Sequence, residues 1–179
     1  MSYGILFLRV VLGLIMAAHG AQKLFGWFGG GGLRGTADGF AQLRFQAPLL
    51  MALAAGLAEF GGGLLIAAGL LTPFAALAIA VVMLNAIGTV HWPNGFWNTR
   101  GGYEFNLLIV AAAAAIAAIG PARFSFDNLT GWADNISGLW WGVGVMAISL
   151  LVSAVTLTLG RHSSAEPAVR AVQTGRPAA

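Results

Sequence analysis

The feature that most constrains this chain is a set of five apolar segments, each close in length to a helix that crosses a bilayer. Such a helix needs about 20 apolar residues, because each residue advances it by about 1.5 Å and the hydrocarbon core is about 30 Å thick. The segments cover residues 4–25, 48–71, 73–91, 103–120 and 139–159. The sequence therefore predicts an all-α fold, a polytopic membrane helical bundle.

The composition excludes the soluble classes of protein. Charged residues make up 8% of the chain and apolar residues 58%, whereas a soluble domain carries about 25% charged residues. The nine Lys and Arg are scattered and balanced by six Asp and Glu, so no basic face for nucleic acid is predicted. The chain has no cysteine, which excludes disulfides, thiolate-held iron–sulfur clusters and covalently attached haem. A redox role would need a bound lipophilic cofactor or a partner.

The stretch His19–Thr36, HGAQKLFGWFGGGGLRGT, closes the first apolar segment. Four residues separate His19 from Lys23, which places both on one face of a helix near its end. A lysine there can extend toward the lipid headgroups, but a histidine one turn deeper is not explained by anchoring alone. Aromatic residues follow at the depth where they usually meet the bilayer surface. The stretch predicts a membrane-boundary site with polar groups at its mouth.

The connecting segments differ in character. Residues 26–47 are glycine-rich, and their second half, 36–45, predicts a short interfacial helix. Residues 92–102 are dense in turn formers and aromatic residues, and residues 124–138 are polar. From residue 161 onward Ala, Pro, Ser and Arg dominate, which predicts a disordered tail.

The distribution of Lys and Arg predicts the orientation of the bundle. Five helices put the first loop, the third loop and the tail on one side of the membrane. That side carries seven of the nine basic residues, namely Lys23, Arg34, Arg44, Arg100, Arg161, Arg170 and Arg176. Because cytoplasmic segments carry an excess of basic residues, we expect the N-terminus outside and the C-terminus in the cytoplasm. The other side has Arg123, together with Arg9 if its side chain extends to the surface.

Ionisable residues inside membrane segments are costly and usually face a bundle interior. This chain has six of them, namely Arg9, His19, Lys23, Glu59, His91 and Glu104. The antiparallel layout brings four, His19, Lys23, His91 and Glu104, to one membrane face. Randomly distributed polar residues would not place so many ionisable side chains at one face.

Glu59 is the deepest of these residues, about 16 Å from either end of its predicted helix. Arg9 and His19 are the predicted partners, each offset by one to two helical turns. Two interpretations stay open. Glu59 either holds the bundle together as a paired or neutral side chain, or it acts on a proton or a cofactor.

Three cofactors are considered for the polar face. A haem held by His19 and His91 is disfavoured, because their depths differ by about 9 Å. A metal site of His19, His91 and Glu104 lacks a short ligand-spacing motif, so no metal is predicted. A quinone fits better, since its carbonyls accept hydrogen bonds over an apolar floor. The predicted binding residues are His19, Lys23, His91, Trp92, Arg100 and Glu104.

Catalytic candidates are fewer. If the protein is an enzyme, Glu59, His91 and Glu104 could move protons. Trp92 and its aromatic neighbours are more typical of a lipid-interface belt than of a cofactor site.

Small residues spaced by four predict close contacts between helices. Gly138 with Gly142, and Ala58 with Gly62, have this spacing. The run 61–63 is either another close contact or a bend in the second helix, and the sequence leaves both open.

These motifs resemble those of the DoxX family of small bacterial membrane proteins. The resemblance rests on Arg9 with Leu12-Gly13, His19-Gly20, Lys23 to Gly30, Gly32 to Thr36, Glu59, Gly62-Gly63, Gly69 to Thr72, His91-Trp92, Asn94 to Phe96, Gly102 to Leu107, and Gly120-Pro121 with Arg123, Ser125 and Asp127. It covers about residues 5–127, and its first cluster is highly specific. It implies a four-helix core in residues 1–127, followed by a polar loop and a fifth transmembrane helix in 128–160 and a tail in 161–179.

The resemblance also implies a location and a kind of function. Members are linked to a membrane subunit of a thiosulfate:quinone oxidoreductase, and others tie soluble redox enzymes into membrane complexes. We therefore expect an inner-membrane subunit or anchor of a quinone-linked redox complex, in respiration or the oxidative-stress response. Its partner would be a soluble redox enzyme, another membrane subunit or a second copy of the chain.

Two alternatives stay open beside it. One is a non-enzymatic scaffold that recruits a soluble partner through residues 26–47. The other is a small-solute transporter with Glu59 as its coupling carboxylate.

Overall fold

The computed structural model describes residues 2–161, and these residues form helices joined by turns. The helices are α1 (Ser2–Phe25), α2 (Gly32–Gln42), α3 (Pro48–Ala68), α4 (Thr72–Ala86), α5 (Glu104–Ile119), α6 (Phe126–Leu129) and α7 (Leu139–Leu159). The predicted all-α class is confirmed. The tail predicted to be disordered, with Arg170 and Arg176, lies outside the described residues.

Within residues 2–161, four helical segments are long and apolar enough to cross a membrane. They are Ser2–Phe25, Pro48–Ala68, Thr72–Asn94 and Leu139–Leu159. The remaining apolar helix, α5, has 16 residues, about four fewer than a spanning helix usually needs. The C-terminal segment predicted at 139–159 is therefore a helix with the predicted bounds.

The end of α4 differs from its prediction. The sequence predicts one regular helix to His91, but the α-helical part ends at Ala86 and a wider π-helical turn covers Ile87–His91. The hydroxyl of Thr89 donates to the carbonyl of Asn85 (2.8 Å). Such a bond competes with the regular backbone pattern and often accompanies distortion of a helix.

The large helices alternate in direction. α1 and α3 pack antiparallel, since Gly20 meets Phe60 while Gly13 meets Ala67. α4 contacts α3, α5 and α7, and fully buried Met16, Ile66, Ile79, Ala113 and Ile116 lie in the shared core. We call the end where α1 and α4 finish the Lys23 end, and the opposite end the Asp127 end.

The first loop folds back onto the bundle at the Lys23 end. Its helix, α2, begins at Gly32, four residues before the predicted start, and packs against α1 and α3. The backbone N–H of Gln46 donates to the carbonyl of Gly160 (3.0 Å), and Nε of Arg161 donates to the carbonyl of Leu43 (3.0 Å). The first loop and the end of α7 therefore lie on the same side of the bundle.

Glycines set the closest approach between helices. Gly142 packs against Ala118, and the backbone N–H of Gly138 donates to the carbonyl of Ala118 (2.9 Å), so both predicted glycines lie where α7 meets α5. Gly63 packs closely against α1, where an added Cβ would lie 2.5 Å from the backbone nitrogen of Ala17. Helix α3 is continuous across residues 61–63, and within this run Gly62 packs against α4 and Gly63 against α1.

Gly63→Ala is expected to destabilise the protein by about 1–3 kcal/mol, because the new methyl group must force α1 and α3 apart. Gly61→Ala is the matched control two residues away. A Cβ at Gly61 meets nothing within 4 Å, so that change should stabilise the helix by about 0.5–1 kcal/mol. Unfolding of both variants in detergent, followed by circular dichroism, measures the difference. Equal midpoints would contradict the assigned contact.

Candidate functional site

The centre of the Lys23 end is an ion pair between Lys23 and Glu59, which joins α1 to α3. The side chain of Glu59 is 1% exposed and that of Lys23 is 29% exposed. The pair therefore links a carboxylate in the bundle interior to a cation that reaches its surface.

The predicted partners of Glu59, Arg9 and His19, are wrong. Gly20 lies against Phe60, so the flexible stem of Lys23, about one turn further along α1, reaches back to the carboxylate. Arg9 lies 11 residues before Gly20, about 16 Å away along the axis. His19 is exposed, because it points away from the surface of α1 that Gly20 presents to α3.

The backbone of Lys23 is held by α2. The hydroxyl of Thr36 lies 3.2 Å from the carbonyl of Lys23 and 2.8 Å from that of Gly32. Carbonyls in the last turn of a helix have no partner within it, so a side-chain donor from a neighbouring element stabilises that end. Thr36 therefore fixes the turn that carries the Lys23 side chain.

Aromatic rings surround the same turn. Phe25 packs edge-on against Phe60, with ring centroids 5.3 Å apart, and against Trp27 at 5.1 Å. Phe25 and Trp27 are exposed. The cation thus lies beside an apolar surface that faces the membrane boundary.

The other four predicted binding residues lie in and next to the loop between α4 and α5, with Glu104 as the first residue of α5. His91 Nδ1 lies 2.7 Å from the carbonyl of Gly101, to which it donates. Trp92 stacks on Tyr103 with ring centroids 5.4 Å apart. The carboxylate of Glu104 accepts the N–H of Asn98 (3.0 Å). These three side chains close the loop on itself, and Arg100 is exposed.

The predicted site is therefore two groups at one end of the bundle. The structure brings Lys23 to Glu59, and it brings His91 to the backbone near Glu104. Within residues 2–161 no hydrogen bond or ion pair joins the two groups. The same residues contain no group of three His, Cys, Asp or Glu side chains able to hold a metal ion, so the metal site considered from His19, His91 and Glu104 has no geometric basis.

A third polar cluster at the Asp127 end was missing from the predicted site. The carboxylate of Asp127 accepts the N–H of Leu71 (2.8 Å), the N–H of Thr72 (3.0 Å) and the hydroxyl of Thr72 (2.7 Å). It thereby caps the start of α4 from a loop 55 residues further along the chain. Its sequence signals are an acid in a polar segment and the presence of Asp127, Arg9 and Gly69 to Thr72 among the residues that carry the family resemblance.

Arg9 belongs to this cluster and does not extend to the surface. Its guanidinium donates to the carbonyls of Pro121 (2.6 Å) and Phe124. It also lies against Gly69, whose carbonyl accepts the backbone N–H of Asp127 (2.9 Å). Arg9 and Asp127 are both 0% exposed. The cluster ties α1 to the loop after α5 and so holds the bundle together at this end.

Comparison with known proteins agrees with this architecture. The sequence model of the DoxX family matches residues 4–92, which include α1 to α4 and the Lys23–Glu59 pair. The protein described as "Putative oxidoreductase CatD" from Bacillus subtilis (strain 168) is 30% identical over 124 residues, which is 69% of this chain and 84% of that protein. No solved structure matches the chain. With its apolar spanning helices and these matches, the chain is a multi-pass membrane protein and belongs to the DoxX family.

Proposed function

We propose that the protein is a subunit or anchor of a quinone-linked redox complex in the bacterial inner membrane, and that Lys23 and Glu59 form its quinone site. The observation that carries the proposal is the ion pair itself, a buried carboxylate joined to a partly exposed lysine inside membrane helices. Ionisable groups in such a position are costly and usually functional. The oxidoreductase name of the Bacillus subtilis relative supports a redox role.

The donor set suits a lipophilic ligand with carbonyl oxygens. An ammonium group has three N–H donors, and Glu59 accepts one of those of Lys23. The others can donate to an acceptor that arrives from the membrane, and the rings of Phe25 and Phe60 supply an apolar wall. A bound quinone supplies two-electron, two-proton chemistry, with the electrons coming from a soluble partner enzyme.

Each residue of the pair has a distinct task in this proposal. Lys23 orients the ligand by donating a charge-assisted hydrogen bond. Glu59 pairs with the ammonium and can relay a proton next to it. Thr36 positions Lys23, and His19, exposed one turn deeper on α1, stays a predicted donor. The other predicted binding residues serve as controls, because the side chains of three of them already bond or stack within the α4–α5 segment. They are His91, Trp92, Arg100 and Glu104.

The test is quinone binding by the purified full chain in mild detergent. Lipid extraction and mass spectrometry should find a quinone bound in stoichiometric amount. Titration with a short-chain ubiquinone, followed by tryptophan fluorescence, should show binding weakened about 10- to 100-fold in Lys23→Met/Glu59→Met, because a charge-assisted hydrogen bond contributes about 1.5–3 kcal/mol. The double variant removes both charges together and so leaves no unpaired ion.

His91→Ala is the matched control, because His91 is the other predicted donor at this end. Its affinity for the quinone should stay within about twofold of the original protein, since each tenfold change needs about 1.4 kcal/mol. Loss of binding in His91→Ala with full binding in the double variant would move the site to the α4–α5 loop. Absence of bound quinone and of any titration signal would reject the proposal.

The scaffold and transporter alternatives stay predictions. The structure changes how the scaffold is tested, because residues 36–45 are not a free loop. Phe45 is buried and Thr36 bonds to Lys23, so deletion of this segment would disturb the fold. Substitutions of exposed Trp27 and Phe28 are the appropriate variants for a partner-release assay.

A further inference from the structure

The Asp127 end contains a cavity that the ion pair at the other end does not use. Its volume is about 280 Å³. The lining residues are Ala68, Arg123, Phe124, Ser125, Phe126 and Leu129. It therefore opens between the end of α3 and the loop that follows α5.

The charge of the cavity wall is positive. Arg123 is exposed, and the ion pair between Lys23 and Glu59 is the one formed among residues 2–161, so Arg123 has no carboxylate partner there. Asp127 lies close in sequence, but its carboxylate is fully buried and already accepts three hydrogen bonds. A guanidinium without a partner binds anions well, and its planar fork matches two oxygens of a phosphate.

The cavity lies at the end of the bundle where lipid headgroups are expected. Aromatic residues gather at the same end of the bundle, where Tyr3 packs on Phe124 at 4.9 Å and Phe74 on Trp141 at 5.8 Å. Such belts mark the boundary between the hydrocarbon core and the headgroups. These rings indicate that Arg123 lies near the membrane boundary, where phospholipid phosphates are expected.

The rim of the cavity is apolar. Phe126 and Leu129 line it and are exposed. At about 280 Å³ the cavity is slightly smaller than the pockets of about 300–1,000 Å³ that enclose whole small ligands. It has room for a headgroup, while acyl chains would lie outside it along the two exposed side chains.

We propose that this cavity binds the phosphate of a phospholipid from the surrounding leaflet. Arg123 donates to the phosphate oxygens, and Phe126 and Leu129 pack against the start of the acyl chains. An exposed guanidinium at a membrane boundary can bind the phosphate through two parallel hydrogen bonds. The site is separate from the Lys23–Glu59 pair, so it does not depend on the proposed quinone function.

The test is native mass spectrometry of the full chain in detergent, titrated with phosphatidylglycerol. Arg123→Gln should weaken lipid binding about tenfold, because it removes both the charge and the fork. The lipid affinity of Arg123→Lys should lie between that of the original protein and that of Arg123→Gln, since lysine keeps the charge and loses the planar fork. Arg100→Gln is the matched control, because Arg100 is an exposed arginine at the opposite end; its affinity should stay within about twofold.

Further measurements distinguish binding of a lipid from binding of a free anion. Leu129→Ser should weaken binding of phosphatidylglycerol and leave any binding of inorganic phosphate unchanged. Inorganic phosphate alone should displace the lipid only weakly. Displacement by phosphate at the same concentration as lipid, or binding of the lipid by Arg123→Gln as strong as by the original protein, would overturn the proposal. Equal losses in Arg123→Gln and Arg100→Gln would also overturn it, by showing binding to surface charge in general.

Discussion

Lys23→Met is expected to destabilise the folded protein by about 3–5 kcal/mol, because it leaves a buried carboxylate without its counter-charge. Glu59 is 1% exposed, so water cannot replace the lost ammonium. The loss exceeds what a surface ion pair contributes, about 0–1 kcal/mol. The free energy of unfolding in mixed micelles, measured with increasing denaturing detergent, gives the value.

A double-mutant cycle identifies the cause of this loss. Glu59→Met should also destabilise, since Lys23 then lacks its acceptor, but by less, because Lys23 is 29% exposed and can turn toward water. Lys23→Met/Glu59→Met should recover most of the loss, because no unpaired ion remains and two apolar side chains pack in its place. If the two single losses simply add in the double variant, the residues do not act as a pair.

The helices could be predicted because the bilayer fixes their length. A run of about 20 apolar residues has few other uses in a chain with so little charge. The segment at 139–159 and the turn before Pro73 follow from this rule and from the position of proline. Both appear in the structure at or near the predicted residues.

The partner of Glu59 could not be predicted, because it depends on how α1 slides along α3. That register is set by backbone contacts of Gly13, Gly20 and Gly63 across the two helices. The periodicity of a single helix shows which face a residue lies on, but not which residue of another helix it meets. Depth counted from the helix ends therefore gave the wrong partners, Arg9 and His19, although the charged residues themselves were recognised.

The division of the predicted site has a similar origin. Counting helix ends places Lys23 and His91 at the same end of the bundle, as the structure has them. The α4–α5 loop then folds on itself through the ring stack of Trp92 on Tyr103 and the bond from His91 to Gly101. Contacts inside an irregular loop have no period in the sequence that could reveal them.

Asp127→Ala is expected to cost about as much as Lys23→Met, about 3–5 kcal/mol, for two reasons that act together. It removes the acceptor of the first N–H groups of α4, and loss of such a cap alone costs about 0.5–2 kcal/mol. It also removes the buried negative charge at the end of the bundle where Arg9 is fully buried, which leaves the guanidinium with backbone carbonyls as its partners. Asp134→Ala is the matched control, because Asp134 is an exposed acid in the same loop, and its effect should stay within about 0.5 kcal/mol.

Asp127→Asn separates the two reasons, because an amide oxygen still accepts hydrogen bonds but carries no charge. If the charge of Arg9 dominates, Asp127→Asn should lose most of the stability that Asp127→Ala loses. If the cap dominates, Asn should recover at least half of the stability, as measured by unfolding in the same micelles. A cost for Asp127→Ala as small as that of Asp134→Ala would show that the carbonyls of Pro121 and Phe124 alone satisfy Arg9. The Asp127 end would then be held by helix packing and not by its buried charges.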